Sequence, residues 1–284
     1  MEDIIRKAGV LVEAIPYIHE FRRKIFVIKY GGSILHDEVI RRRVLEDIVF
    51  LSFVGIRIIV VHGGGPHISN RLKAIGVEPE FHNGIRVTDE KTLQVVVEEL
   101  DEINGQIVQE IRALRGDVTG LKGHENIVYV EKKKAERDLG YVGTITNIER
   151  QVLDQHLCQG YITVVAPLGI GVGQQTHNVN ADEVASAIAA SMKAEKFVLL
   201  TNVPGVLRDP KDQATLCSTL TMSQVEKFKQ DGIISGGMIP KVDACMEALM
   251  GGIPKAHIVD ARMDHALLLE IFTDTGVGTQ IVHG

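Results

Sequence analysis

The sequence lacks several features that mark whole classes of protein. It has no basic excess, since its formal net charge is −6 at pH 7, whereas nucleic acids and anionic membranes recruit positively charged surfaces. No apolar run approaches the roughly 18 residues that span a bilayer, and the first residues lack the basic and apolar regions of a signal peptide. These absences favour small-molecule chemistry in the cytoplasm.

Cysteine is scarce among the 284 residues. Cys158, Cys217 and Cys245 lie far apart and form no Cys-x-x-Cys pair. We therefore expect free thiols in a reducing compartment rather than disulfides or metal ligands.

Two glycine turns follow short apolar strands near the start of the chain. Residues 29–33, Lys-Tyr-Gly-Gly-Ser, follow the apolar run 25–28, and residues 62–66, His-Gly-Gly-Gly-Pro, follow the run 58–61. Glycine lets backbone N–H groups approach an anion, and a helix after each turn adds unpaired donors and the positive end of its dipole. Glycine also serves tight turns for geometry alone, but two such turns, one with a lysine, favour phosphate binding. Neither matches the dinucleotide fingerprint or the nucleotide loop Gly-x-x-x-x-Gly-Lys-Ser/Thr, so a different phosphate-handling fold is indicated.

The pattern of apolar runs predicts an α/β fold. Strand-like runs alternate with helical stretches, which is typical of a mainly parallel sheet covered by helices on both faces. The glycine-containing segment 116–148 predicts short strands and turns instead. We predict two lobes, 23–195 and 196–284, on one continuous sheet, with ligands at the carboxyl ends of the strands. The predicted strands are 25–28, 57–61, 126–130, 162–165, 196–200 and 256–259, and the predicted helices are 37–53, 66–75, 89–114, 181–192, 223–230, 239–250 and 264–272.

A further helix is predicted before the first strand, within the segment 1–22. Apolar residues recur at helical spacing over residues 3–20, with a bend or interruption near Pro16. This helix lies outside the repeating strand and helix units, and such additional helices often form oligomer contacts.

A cluster of amides and carboxylates precedes the helix predicted at 181–192. Asn178, Asn180 and Asp182 alternate, so in an extended stretch their side chains point the same way. Capping of the helix by Asn180 alone is an equally good interpretation.

Two cations stand beside glycine turns. Lys241 falls in the first turn of a helix that begins near Pro240, where a cation opposes the helix dipole unless an anion lies nearby. Arg86 lies in the turn 83–89, either as a solvated surface charge or as a bidentate clamp for a carboxylate. His62 ends a buried strand, and we interpret it as a hydrogen-bonded structural residue rather than an acid catalyst.

Taken together, these motifs resemble the amino acid kinase family, and within it the kinases that phosphorylate N-acetyl-L-glutamate. The resemblance covers essentially the whole chain and implies a three-layer αβα sandwich with a mainly parallel central sheet, as in carbamate kinase-like proteins. It also implies that ATP phosphorylates the γ-carboxylate of N-acetyl-L-glutamate in arginine synthesis, with substrate in the first lobe and ATP in the second. The matching segments are 29–32, 62–66, 84–89, 178–182, 235–241 and 276–279.

The resemblance implies a role for individual residues. The transferred phosphoryl group is stabilised by Lys29 and Lys241, and Asp182 orients both lysines. The residues that contact the amino-acid substrate are Gly64, Gly65, Arg86 and Asn178. The residues that contact ATP are Gly31, Gly32, Thr201, Asn202, Val203, Gly205 and Gly237. Magnesium comes with ATP, bound by phosphate oxygens and water, and no protein metal ligand is assigned.

Arginine-inhibited members of the family carry an extra amino-terminal helix that joins dimers into a hexamer, and the helix at 3–20 resembles it. An L-arginine site is then implied at Tyr17, Glu270, Gly276 and Gly278. The alternative is a helix used only for assembly and a glutamate on a solvated face. The resemblance leaves open a PII-type regulatory protein as a partner.

The sequence departs from the family pattern at four places. Asn202 stands where aspartate is usual, Ala261 where glycine is usual and Thr144 where glutamate is usual, and the segment 173–177 differs from the expected run. Two other functions stay open: a kinase for N-acetyl-α-aminoadipate, which is longer by one methylene, and a catalytically silent arginine-sensing module. The joint presence of both lysines and the aspartate assigned to phosphoryl transfer argues against the second.

Overall fold

Strands and helices alternate along most of the chain. The computed structural model describes residues 9, 12–31, 34–35, 37–273 and 275–284. The helices of this part are α1 Ile15–Phe21, α2 Glu38–Phe53, α3 Gly65–Ala74, α4 Glu90–Ala113, α5 Arg150–Cys158, α6 Ala181–Ser191, α7 Met222–Gln230, α8 Ile239–Met250 and α9 Ala266–Ile271. The strands are β1 Ile25–Tyr30, β2 Arg57–His62, β3 Phe81–His82, β4 Ile85–Arg86, β5 Val118–Lys122, β6 Val128–Lys132, β7 Gly143–Ile148, β8 Ile162–Ala166, β9 Leu168–Ile170, β10 Thr176–Asn178, β11 Lys196–Thr201, β12 Thr219–Thr221, β13 Lys255–Asp260 and β14 Thr279–Val282.

One eight-stranded sheet forms the centre of the fold, in the order β12-β14-β13-β11-β1-β2-β8-β5. Six of these strands run parallel, from β13 through β5, and β14 and β12 run in the opposite direction. Strand β1 lies in the middle, with Val27 paired to Ile59 of β2 and to Phe197 of β11. The sheet is therefore continuous across the predicted lobe boundary at 195/196.

Alternate residues of the central strands pack into two separate hydrophobic cores, one on each face of the sheet. Phe26 and Ile28 of β1 face the side covered by α1, α2, α4 and α9, whereas Val27 faces the side covered by α5, α6, α7 and α8. All three side chains are fully buried, as expected for a parallel strand covered on both faces. The predicted three-layer αβα sandwich is confirmed.

The segment 116–148 does not form a single unit. Strand β5 joins the edge of the large sheet, while β6 and β7 form a second sheet with β9 and β10, in the order β10-β9-β6-β7. The run predicted as a strand at 126–130 forms β6, which pairs antiparallel with β7 in this smaller sheet, in agreement with the short strands and turns predicted for the segment. Sequence periodicity locates a strand but does not say which neighbour it pairs with.

The amino-terminal helix is interrupted where the sequence indicates. Helix α1 begins at Ile15 and has Pro16 in its first turn, where proline lacks only a donor that the helix does not use. Phe21 at its end packs edge-on against Phe26, with ring centroids 5.4 Å apart. The rest of the helix predicted at 3–20 falls partly on residues 1–8, 10 and 11, which lie outside the described residues. None of the described helices is both long and apolar enough to cross a membrane.

A short hairpin, β3 and β4, projects beside the large sheet. Asn83 and Gly84 at its tip both have positive φ, 50° and 79°, as two-residue hairpin loops require. Its exit is fastened at Thr88, whose N–H donates to the Leu139 carbonyl at 2.9 Å and whose carbonyl accepts from Tyr141 N–H at 2.7 Å. Between these bonds, Gly140 packs so closely on Thr88 that a Cβ would overlap the Thr88 carbonyl oxygen.

This close approach predicts a specific cost for a side chain at Gly140. Gly140 and Gly232 both have φ +72°, but nothing lies within 4 Å of a Cβ built at Gly232. Gly232→Ala should therefore cost only the left-handed strain of about 1–2 kcal/mol. Gly140→Ala should lower the free energy of unfolding by a further ~2 kcal/mol or more, because backbone must move. Urea unfolding of both variants measures the difference, and equal losses would contradict the packing described here.

Candidate active site

The carboxyl ends of β1 and β2 and the amino-terminal ends of α3 and α6 meet around one cavity of about 280 Å³. This volume is near the lower end of the range for small-molecule sites. Six of the residues predicted from sequence line it: Lys29, Gly64, Gly65, Arg86, Asn178 and Asp182.

An ion pair joins β1 to α6 at one end of the cavity. The Lys29 Nζ lies 2.9 Å from Asp182 Oδ1, and both side chains are largely buried. Asp182 stands in the first turn of α6, where the helix dipole favours a carboxylate. Asn180 caps this helix, its Oδ1 accepting from Asp182 N–H at 2.7 Å. Capping therefore accounts for Asn180, but it does not account for Asn178 or for the Asp182 carboxylate.

A second lysine, Lys241, interacts electrostatically with the ion pair of Lys29 and Asp182. Lys241 lies in the first turn of α8, which has Pro240 at its start as predicted, and its Nζ is 3.4 Å from the Gly237 carbonyl oxygen. Burial lowers the pKa of Lys241, Lys29 lowers it further, and Asp182 opposes both effects. The two ammonium groups thus share the field of one carboxylate.

The two glycine turns lie against each other. Gly63 N–H donates to the Tyr30 carbonyl at 2.8 Å, and a Cβ at Gly31 would lie 3.1 Å from Gly63 N and 3.2 Å from Lys29 Nζ. Gly64 is the N-cap of α3 and provides no side-chain acceptor. The first turn of α3 therefore presents backbone donors to the cavity, which is a favourable place for an anion.

Arg86 and Asn178 are connected at the other end of the cavity. Thr88 Oγ1 donates to the Arg86 carbonyl at 3.0 Å and accepts from Asn178 Nδ2 at 3.2 Å. Arg86 is only 7% exposed, so the alternative of a solvated surface arginine was wrong. Burial lowers the pKa of Arg86, which indicates a guanidinium that lacks a compensating acid within the described ranges.

His62 contacts the second glycine turn through the carbonyl oxygen of Gly63. It is fully buried, its Nδ1 lies 3.1 Å from the Gly63 carbonyl oxygen, and its Nε2 lies 3.3 Å from Asn104 Nδ2. Burial lowers the pKa of His62 to about 4, so the ring is neutral at physiological pH. A neutral ring with Nδ1 donating and Nε2 accepting satisfies both contacts, in agreement with the structural interpretation.

None of the described residues predicted to contact ATP lines this cavity, although Gly237 contacts Lys241 through its carbonyl oxygen. Thr201 ends β11, Asn202 and Val203 follow it, and Gly237 belongs to a short turn just before α8. Gly205 has φ +144°, and a Cβ there would collide with Thr279 Oγ1. Gly31 belongs to the first glycine turn and packs against Gly63 of the second. Gly32 lies outside the described residues.

A second cavity separates α1 from β13 and α9. Tyr17, Glu270 and Gly276 all line it, together with Lys196 and His257. Gly278 does not line it but donates its N–H to Glu270 Oε2 at 2.9 Å, as Val277 does at 2.7 Å. Glu270 Oε1 lies 2.6 Å from His257 Nδ1.

The carboxylate of Glu270 is stabilised within its own chain. Burial raises the pKa of Glu270, but His257 and the two backbone donors outweigh this, and the net pKa lies below the usual value. Burial also lowers the pKa of His257. A neutral histidine therefore donates to an ionised glutamate.

Sequence reasoning missed the side chains that enclose the first cavity. Phe81 lies on the hairpin strand opposite Arg86, and the remaining apolar lining includes Ile68, Leu100 and Val142. The Asn83-Gly84 loop predicts a hairpin and hence a cross-strand partner for Arg86, which is the signal that could have identified Phe81. The others come from distant segments and leave no local signal.

Comparison with known proteins adds an independent line of observation. Residues 24–260 match the model of the amino acid kinase family. The chain is 46% identical to the acetylglutamate kinase of Syntrophomonas wolfei over 281 residues, covering 98% of both chains. It is also similar to the N-acetylglutamate synthase of Neisseria gonorrhoeae, solved with coenzyme A and N-acetyl-glutamate, with TM-score 0.86 and 26% identity. The matched region covers 98% of this chain and 63% of the synthase chain. The same synthase solved with coenzyme A and L-arginine gives a TM-score of 0.84 at 26% identity, over 98% of this chain and 65% of that one.

The geometry predicts the titration of Lys241. Its ammonium should lose a proton below the ordinary lysine pKa of about 10.4, and Asp182→Asn should lower this pKa further because the carboxylate stabilises the cation. Lys229 is an internal control, since its hydrogen bond to Asp243 raises its pKa. The pH dependence of reductive methylation, followed for each lysine by mass spectrometry, measures both. A pKa of Lys241 above that of Lys229, or a pKa of Lys241 that rises in Asp182→Asn, would contradict the proposed arrangement of the two lysines around Asp182.

Proposed function

Since this chain belongs to the amino acid kinase family, we propose that it transfers the γ-phosphoryl group of ATP to the γ-carboxylate of N-acetyl-L-glutamate. The products are ADP and the acyl phosphate, N-acetyl-L-glutamyl 5-phosphate, an intermediate of arginine synthesis. The observation that carries this function is the 46% identity, from end to end, with a kinase named for this substrate. The cavity described above is consistent with it, because it offers cations at both ends to a dianionic amino acid.

The chemistry does not require a general base. A glutamyl side chain has a pKa near 4.3, so its carboxylate is already the nucleophile at neutral pH. One carboxylate oxygen forms a bond to the γ-phosphorus while the bond to the β,γ-bridging oxygen breaks and ADP leaves. Catalysis then depends on in-line positioning and on stabilising the charge of the transferred group.

We assign that stabilisation to Lys29 and Lys241, with Asp182 as their common partner. Asp182 holds Lys29 at 2.9 Å and stabilises the Lys241 cation, so both ammonium groups are oriented before substrate binds. Such preorganised charges avoid reorganisation during the reaction. Backbone donors of Gly64 and Gly65, at the start of α3, add hydrogen bonds to the reacting anions.

Arg86 and Asn178 are proposed to bind the α-carboxylate of the substrate. The guanidinium is buried and lowered in pKa by that burial, and a carboxylate would compensate its charge. Its planar fork suits a bidentate contact.

The nucleotide is proposed to bind across the second lobe, residues 196–284, with the first lobe, 23–195, holding the amino acid. Of the residues assigned to ATP, Thr201, Asn202 and Val203 lie at the carboxyl end of β11. Gly237 lies just before α8, the helix that carries Lys241. Magnesium is proposed to come with the nucleotide, bound by the phosphate oxygens of ATP and by water. The enzyme is proposed to act in the cytoplasm.

The alternative substrate N-acetyl-α-aminoadipate is not favoured, because the similar full-length relatives are acetylglutamate kinases. A pocket distinguishes one methylene by only about 10–200-fold, so a direct comparison is informative. A catalytically silent sensing module is likewise not favoured.

An ADP-release assay tests the function. The wild type should phosphorylate N-acetyl-L-glutamate with kcat/KM at least about tenfold above that for N-acetyl-α-aminoadipate. Lys29→Ala and Lys241→Ala should each lower kcat by roughly 10²–10³, the scale for one preorganised charge-stabilising group, with smaller effects on KM. Lys211→Ala, in an exposed loop, is the control and should behave as wild type. Preference for the longer substrate would overturn the function, and a lysine variant that keeps half of kcat would overturn that lysine's role.

We further propose inhibition by L-arginine bound in the second cavity. The cavity carries both signs of charge, with Lys196 and Lys255 near Glu20 and Glu270, which suits a zwitterion with a cationic side chain. Tyr17 and Gly276 border it, and Gly278 fixes the carboxylate of Glu270. A guanidinium would add to the hydrogen bonds of Glu270 or replace His257 there.

The amino-terminal helix is proposed to join dimers into a hexamer. Val12 and Ile15 are 63% and 57% exposed, so this apolar stripe is available to a second copy, whereas Tyr17 packs on Phe272 with ring centroids 6.2 Å apart. A PII-type regulatory protein remains a proposed further partner.

Arginine should inhibit the full-length protein by preferring one conformation of the ring. Deletion of residues 1–20 should convert hexamers to dimers and abolish inhibition while leaving kcat within about threefold. The double variant Val12→Glu, Ile15→Glu should disrupt assembly without removing Tyr17. Light scattering and arginine titration separate the two effects, and a full-length dimer or unchanged arginine sensitivity after deletion rules the mechanism out.

A further inference from the structure

The guanidinium of Arg86 is held on one edge and open on the other. Its Nη2 donates to the Gly65 carbonyl at 3.0 Å and to Ser69 Oγ at 2.8 Å. Its Nη1 is buried and has no hydrogen-bond partner among the residues that the structure describes. A buried charged donor without a partner is costly, so the open edge indicates where an anion completes the site.

The central carbon of the same guanidinium lies over an aromatic ring. Arg86 Cζ is 4.7 Å from the centroid of Phe81, and the two residues are directly paired across the hairpin. The ring also lines the cavity, although 52% of Phe81 is exposed. An exposed phenylalanine gains little from burial, so its position is better explained by the cation above it.

We propose that Phe81 and Ser69 are positioning residues that aim the open edge of Arg86 at the substrate's α-carboxylate. This inference rests on the proposed function. The ring restricts the guanidinium to one plane, and Ser69 fixes its rotation within that plane. Neither residue contacts the reacting phosphoryl group, so both act on substrate binding through Arg86 and not on the chemical step.

The three residues belong to two different elements of the fold. Ser69 belongs to α3, whereas Phe81 and Arg86 belong to the hairpin. The two strands of the hairpin form a sheet of their own and do not pair with the large sheet. The hydrogen bond from Arg86 to Ser69 therefore ties the hairpin to the helix that begins at the glycine turn. The same bond orients the arginine and contributes to the placement of the hairpin, together with the Arg86 bond to the Gly65 carbonyl and the backbone bonds of Thr88.

The test compares two acceptors that differ only in the α-carboxylate, N-acetyl-L-glutamate and N-acetyl-4-aminobutyrate. Phe81→Leu should raise KM for N-acetyl-L-glutamate about three- to thirtyfold, the range expected for loss of a partly desolvated cation–π contact. The kcat and the KM for ATP should change less than about twofold. For N-acetyl-4-aminobutyrate, kcat/KM should not change, because it offers Arg86 no α-carboxylate.

Three further variants separate positioning from general packing. Phe81→Tyr keeps an aromatic face and should restore KM to near the wild-type value, whereas Ser69→Ala should raise KM for N-acetyl-L-glutamate alone. Phe53→Leu makes the same change at a phenylalanine that is 65% exposed at the end of α2, and it should behave as wild type. In an Arg86→Lys background, Phe81→Leu should have little added effect, because the planar fork is already gone.

Each outcome decides the inference. Equal losses on both acceptors, a fall confined to kcat, or no rescue by Phe81→Tyr would overturn the positioning role while leaving the proposed function intact. A wild-type enzyme that phosphorylates neither acceptor would overturn the proposed function and this inference with it.

Discussion

The ion pair between Lys29 and Asp182 is the contact on which the rest of the site depends. It joins the carboxyl end of the central strand β1 to the amino-terminal end of α6 at 2.9 Å, and α6 in turn packs on β1, β2, β11 and α8. A carboxylate at that helix start is favoured by the dipole, and it offsets the repulsion between Lys29 and Lys241. Without it, two ammonium groups would share a partly buried space with no opposing charge. The pair therefore sets both the geometry and the electrostatics of the end of the cavity that we propose to be catalytic.

The opposite end of the cavity follows a different rule. There the chain supplies a buried guanidinium at Arg86 without an acid to match it. At the end that we propose to be catalytic, one carboxylate, that of Asp182, orients two lysines within the chain itself. At the end that we propose to bind the substrate, the compensating charge would come with the α-carboxylate, so binding energy would be gained where that group enters. The second cavity resembles the first arrangement, because Glu270 is already satisfied by His257 and by backbone donors.

Much of the fold and part of the site could be predicted from local patterns. Strands β1, β2, β8, β11 and β13 and most helices follow from apolar periodicity, since each must bury one face or both. The start of α6 follows from Asn180, whose side chain caps the helix. The start of α8 follows from Pro240, whose fixed φ suits the first helical turn. The short strands β9, β10, β12 and β14 were not predicted, because runs of three or four residues carry too little pattern to identify a strand or its partner.

The sequence by itself determined which chemical groups are present and where the backbone turns. Lys29, Asp182 and Lys241 stand at strand ends or helix starts, and Gly140 and Gly205 stand where a Cβ would collide with a neighbouring group. Only the tertiary structure decided which of these groups act together. The Asn83-Gly84 turn predicts the hairpin that pairs Phe81 with Arg86, but no local signal places Thr88 between Arg86 and Asn178, the latter 90 residues from Thr88. Likewise, His257 meets Glu270 because α9 packs on β13. These contacts join elements that only the tertiary structure brings together, and no local propensity encodes them.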